Sequence, residues 1–207
     1  MQKTEPLWPS LIALIAVGGL HMAMPEPLSV GPRWLLLAII VAIMGPVEIL
    51  HIRGNHKLCR PLGFVVLSVV TVAMIFSICR LVTAIPDRLE TPSDLLRSAI
   101  YLWFTNVFVF AVWYWRIDAG GPHRRGAREI HSRENAAFLF PQMTIDETQN
   151  WSPKFIDYLY LAFNTSTALS PTDAPILSRL GKVLMMVQST ISLTVIVLLA
   201  ARAVNIL

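Results

Sequence analysis

Apolar residues run almost unbroken through five stretches of the chain, 7–24, 34–50, 62–85, 95–115 and 183–201. A membrane-spanning helix takes roughly 20 apolar residues at 1.5 Å rise each, and about 17 suffice inside a bundle. Each stretch therefore predicts a transmembrane helix. The breaks are chemically clear. Pro25, Pro27, Gly31 and Pro32 separate the first two helices, since proline and glycine end regular helix. Arg53, Gly54, Asn55, His56, Lys57 and Arg60 form a basic loop, and Pro86, Asp87, Arg88, Glu90, Pro92 and Asp94 form a loop of mixed charge. A sixth stretch, 155–172, opens on Asp157 and aromatics and ends in hydroxyls. It predicts either a re-entrant helix or a further span. The expected fold is all-α, an integral membrane bundle of five or six transmembrane helices. Residues 1–117 make a four-helix transmembrane region, 118–153 a polar basic loop, and 154–207 a short helix with the final span.

Composition supports this reading. Of 207 residues, 55% are hydrophobic and only 14% charged, and the mean hydropathy is +0.58. Soluble domains carry about 25% charged residues, so this chain lacks the polar surface to stay in water. The first stretch is expected to be retained rather than cleaved. Glu5 offsets Lys3 before it, and no small-residue cleavage site follows Met24.

The net charge of +4 reads first as topology. Let side A be the face carrying the N-terminus, the 53–60 loop and the 118–153 segment. If 155–172 dips in and returns, side A holds 12 basic residues and side B holds 4, with Arg80 between them. If 155–172 crosses, the division is 11 against 5. Either way the positive-inside rule places side A in the cytoplasm. The basic loops suit anionic lipid head groups. No stripe of basic and aromatic residues suggests nucleic acid. Cys59 and Cys79 stand about 30 Å apart along one helix, too far for a disulfide.

Candidate chemistry is sparse. Glu48 and His51 share a helix face at the Glu-x-x-His spacing of di-iron bundles. That motif occurs once here, so no metal site is expected and anchoring at the interface accounts for the pair. Arg80 lies about 9 Å inside the Pro86 end of its helix. It either snorkels to side B or pairs with His21, Asp87 or Asp94, an intramembrane charge being a functional candidate by default. Asp173 joins those partners only if 155–172 crosses. No Gly-x-Ser-x-Gly or phosphate-binding loop is present. Chemistry on lipid would require Asp118, His123, His131 and Asp146 to meet. No enzyme activity and no cofactor are expected.

The run F-I-D-Y-L-Y-L-A-F-N-T-S-T-A-L-S-P-T-D over 155–173, followed by a long apolar helix, resembles the pore helix, filter and inner helix of tetrameric cation channels. Thr165, Thr167, Leu169 and Asp173 fall on the threonine, threonine, valine and aspartate of the potassium-channel pattern. Ser170, Pro171 and Thr172 replace its Gly-Tyr-Gly, so potassium selectivity is not implied. The resemblance implies an ion path through copies of Thr165, Thr167, Ser170, Thr172 and Asp173, a homo-oligomer, and monovalent cations as partners. The same residues admit a plainer account. Thr172 or Asp173 could cap the final helix, with Pro175 in its first turn. The hydroxyls of 164–167 could bond to neighbouring helices or their own backbone.

Trp113-Tyr114-Trp115 running into Gly-Gly-Pro, Phe140-Pro141-Gln142, and the tail S-P-T-D … S-R-L-G-K … A-R-A-V-N-I-L resemble a family of small bacterial multi-pass proteins, a domain of unknown function. That resemblance implies a bacterial inner-membrane protein and supplies no activity. Two function classes follow: a channel-like, cation-conducting oligomer, and a non-conducting scaffold or regulatory subunit with a cytoplasmic basic loop. A potassium-type filter faces outward, whereas the charge count puts a re-entrant Asp173 inside.

Overall fold

A computed structural model of the chain describes residues 6–29, 31–52, 56–87, 92–125, 136–145, 151–167 and 174–206. The described part is helical, with no strand longer than a single bridge pair. The helices are α1 Trp8–Met22, α2 Leu35–Ile52, α3 His56–Asp87, α4 Pro92–Ile117, the single turn α5 Pro122–Arg125, α6 Phe155–Thr167 and α7 Arg179–Ile206. Three of them contain stretches long and apolar enough to cross a membrane, Cys59–Thr83, Ser93–Gly120 and Arg179–Ala201. They give the chain the character of a helical membrane protein. α1 and α2 are apolar but shorter.

The helix ends follow local chemistry. Pro9 sits in the first turn of α1, where its missing N–H costs nothing. Asp94 opens α4 and Arg116 closes it, each complementing the helix dipole. The chain then turns sharply. Ala119, Gly120 and Gly121 hold φ values of +52°, +80° and +95°, a left-handed run that only glycine adopts freely. α6 starts at Lys154, whose N–H donates to Asp157 Oδ2 at 2.7 Å, the acidic half of a capping box.

The final helix begins later than a cap at Thr172 or Asp173 would place it. Its N-cap is Ser178, whose Oγ accepts from the Gly181 N–H at 2.9 Å. Pro175 lies before the helix in an extended segment. There the Pro175 carbonyl accepts from Leu139 N–H at 2.9 Å, and Leu177 N–H donates to Ala137 at 2.8 Å. Phe138 and Ile176 thus form an antiparallel bridge.

α4 is the hub of the bundle. α1 and α3 pack on it, α6 and α7 cover the rest, and α2 joins α1 to α3. Gly18 lets α1 and α2 approach, since a Cβ there would stand 2.6 Å from a Leu37 methyl. α6 and α7 run parallel. Phe138 packs on Tyr158 at the start of α6, with ring centroids 6.3 Å apart. A Cβ on Gly181, at the start of α7, would lie 3.6 Å from the same Phe138 ring. Further along both helices Gln188 meets Ala162 and Ser166, and Ser192 meets Ser166. Thirteen residues make α6 about 20 Å long, against roughly 30 Å for the hydrocarbon core.

Candidate functional site

Two clusters of buried polar side chains and a cleft lie where α4, α6 and α7 meet. The first cluster lies midway along α4. Gln188 is fully buried, and its Nε2 donates to the Ala162 carbonyl at 2.7 Å and to Ser166 Oγ at 2.8 Å. Its Oε1 accepts from the Tyr114 hydroxyl. Asn106 Nδ2 reaches Ser166 Oγ and the Gln188 carbonyl, each at 3.4 Å. Ser192 donates to the Ser166 carbonyl. One amide on α7 thereby binds two helices, because glutamine carries both donors and an acceptor.

The second cluster caps the far end of α4. Asp118 is buried, and its Oδ1 accepts from Ala137 N–H at 2.7 Å and from Phe138 N–H at 3.4 Å. Its Oδ2 accepts from the Tyr158 hydroxyl at 2.5 Å. Arg125 Nη1 donates to Tyr158 Oη at 2.8 Å and to the Trp115 carbonyl at 3.1 Å, and lies 3.8 Å from Asp118 Oδ2. Arg125 also sits over the Tyr158 ring at 5.0 Å. This cluster ties α4, the 137–138 backbone and the first turns of α6 into one body. The left-handed turn at 119–121 allows it, by folding α5 back so that Arg125 faces Asp118. Arg125, read from sequence as part of a polar basic segment, is an interior residue.

The cleft, of about 310 Å³, opens beside α6 between Phe140, Pro141, Gln142, Asp157, Tyr160, Leu161, Asn164 and Ala174. The Phe140-Pro141-Gln142 motif forms one wall of it.

The residues singled out in the sequence are dispersed. Thr165 is buried, and its hydroxyl donates to the Leu161 carbonyl at 2.8 Å. The Thr167 hydroxyl donates to the Asn164 carbonyl at 3.0 Å. Both bonds stay within α6. Ser170, Thr172 and Asp173 lie outside the described residues. Arg80 points out of the bundle, exposed, with its guanidinium 5.4 Å from the Phe76 ring. It does not pair with His21, which is buried; the Asp87 side chain lies outside the described part. Among lipid-chemistry candidates, Asp118 is consumed by the second cluster, His131 and Asp146 lie outside the described residues, and so does the side chain of His123. Glu48 is partly buried with Oε2 unpartnered, and the side chain of His51 is outside the described part. Among the described residues no three His, Cys, Asp or Glu side chains come together as metal ligands.

Sequence reading passed over Asn106 and Gln188, took Tyr114 only as part of a motif, and took Asp118 only as a loop group for lipid chemistry. A usable signal existed for two of them. Asn106 and Gln188 are single amides inside apolar helical runs, and a polar group in hydrocarbon must find a partner on a neighbouring helix. Asp118 stood in a segment that composition alone assigns to solvent. Comparison of the chain with family models, with curated proteins and with solved structures gives no match in any of the three.

Proposed function

We propose that α6, the connection to α7 and α7 itself form a re-entrant pore-type module, and that the chain assembles as a homo-oligomer in the bacterial inner membrane to conduct cations. One observation carries the reading: α6 is too short to span a bilayer and runs parallel to α7. Two consecutive spanning helices joined by a short turn are antiparallel. A half-length helix parallel to its successor requires the chain between them to return to the level from which α6 set out. From Thr167 to Ala174 are seven residues, with an extended reach of about 23–25 Å. The rise of α6 from Tyr158 to Thr167 is only about 14 Å. Helix, return and span is the order of the cation-channel module that the 155–173 run resembles.

This arrangement has five spans, with residues 155–172 entering from and returning to side A. The charge count then puts the mouth of the module in the cytoplasm, the reverse of a potassium channel. Without Gly-Tyr-Gly the path is lined by hydroxyls and a carboxylate. Copies of Thr165, Thr167, Ser170, Thr172 and Asp173 carry the ion path; the Thr165 and Thr167 hydroxyls donate within α6 and keep their lone pairs for a cation. A ring of Asp173 carboxylates favours cations, which relieve their mutual repulsion.

A second reading, a non-conducting scaffold or regulatory subunit, is favoured by the first cluster. There Ser166 of α6 is bonded to Asn106 of α4 and to Gln188 and Ser192 of α7, all within a single chain. Flux in proteoliposomes separates the two. Under the channel reading the wild type passes monovalent cations and Asp173→Asn passes markedly fewer while folding normally, asparagine being as good a cap as aspartate. With Cys59 and Cys79 replaced by alanine, Thr172→Cys is blocked by a charged thiol reagent only from the cytoplasmic face. A folded, oligomeric wild type that passes no ion above empty liposomes sinks the channel reading and leaves the scaffold.

A further inference from the structure

Two unfilled halves of an ion pair lie on either side of the first turns of α3. Arg116, at the end of α4, is only 6% exposed. Its Nε and Nη2 are buried and have no hydrogen-bond partner. These two N–H groups form one edge of the guanidinium, the edge that grips a carboxylate side-on. Glu48, near the end of α2, keeps Oε2 buried and likewise without a partner. A buried charge with open hydrogen-bonding capacity is costly in any low-dielectric surrounding. Two of opposite sign in one place are each other's remedy.

Both approach the first turns of α3, at positions one helical turn apart. The Cys59 thiol donates to the Val47 carbonyl at 3.5 Å, which sets the backbone next to Glu48 against Cys59. The Arg116 guanidinium rests on Gly63, where an added Cβ would fall 1.8 Å from Nη1. Cys59 and Gly63 are one turn apart on the same face of α3, a rise of about 6 Å.

We propose that Glu48 and Arg116 form an intramembrane ion pair that latches α2 to α4 across the Cys59–Gly63 face of α3. Gly63 belongs to the device, because any larger residue would push the guanidinium out of reach. The latch explains why an arginine is tolerated in the interior of the bundle. It also gives Glu48 a role other than interfacial anchoring or metal binding. The inference is independent of whether the chain conducts.

A double-mutant cycle tests it, read as the thermal midpoint of purified protein in detergent. Glu48→Gln and Arg116→Gln should each lower the midpoint by at least about 5 °C, since each strands the other charge. The double variant Glu48→Gln/Arg116→Gln should lose no more than the worse single one. Additive losses would overturn the pair. If Arg116→Gln yields no folded protein, the exchange Glu48→Arg/Arg116→Glu decides. Recovery of folded protein supports the latch, and failure beside a well-folded Glu48→Gln overturns it. One further outcome reassigns the guanidinium: if anionic lipid raises the midpoint of the wild type and of Glu48→Gln equally but not that of a folded Arg116 variant, the arginine grips a lipid phosphate and the latch is wrong.

Discussion

α4 and α7 are both long enough to cross a membrane, yet the bundle uses them in opposite ways. α4 buries 61% of its apolar stretch and α7 only 22%, although α7 is the more apolar of the two. In water this would be inverted. Lipid tails are as apolar as leucine, so Leu180, Val183, Met186, Leu193 and Val197 gain nothing by turning inward and remain exposed on α7. α4 turns inward because of what it carries: Thr105, Asn106, Tyr114 and Arg116 are all buried. The comparison teaches that helices here are sorted by polar groups that hydrocarbon cannot satisfy. Gln188 is the exception that proves useful, since it is the one glutamine of α7 and points at α4 and α6.

The sharpest way to break this comparison is to remove a buried charge at the end of α4. Asp118→Asn leaves Arg125 without its carboxylate and weakens the bonds from Ala137, Phe138 and Tyr158. A loss of about 3–5 kcal/mol is expected, or roughly 10 °C in the thermal midpoint in detergent. A variant as stable as wild type would mean that the second cluster does not hold α6 in place. Gln188→Leu should cost less, about 1–2 kcal/mol, because interhelical bonds in membranes are individually modest and Leu suits the surroundings. The expected trace is a lowered midpoint together with exposure of Ser166 or Tyr114 to hydrogen exchange. An unchanged midpoint would place polar sorting below simple packing. The smallest effect belongs to Arg80→Leu. Arg80 already faces outward over Phe76, so the change should be neutral or slightly stabilising, within about 0.5 kcal/mol. A large loss there would instead point to a partner for the guanidinium, either Asp87 or a group of a second copy of the chain.

The long helices were legible in the residues to within a few positions, because each coincides with an almost unbroken apolar run. Runs at 62–85 and 95–115 lie within α3 and α4, which extend past them on polar turns that cost nothing at the water boundary. The start of α7 was less legible. Thr172, Asp173 and Ser178 are all competent caps, and only pairing of 175–177 with the 137–139 backbone selects Ser178.

The basic segment shows where composition fails most clearly. Arg124, Arg125, Arg128 and Arg133 look alike in a string, yet Arg125 lies in the interior because the turn at 119–121 aims it at Asp118.

The residues alone were enough for the all-helical membrane character and the approximate helices. Each depends on local composition counted along the chain, and lipid enforces each without regard to how the helices meet. Tertiary structure alone decided which polar groups are partners and that α6 runs parallel to α7. It also brought Arg116 against Gly63. Those facts depend on residues far apart in the chain meeting across helices. No local period or spacing encodes the rotation of one helix about its axis against another.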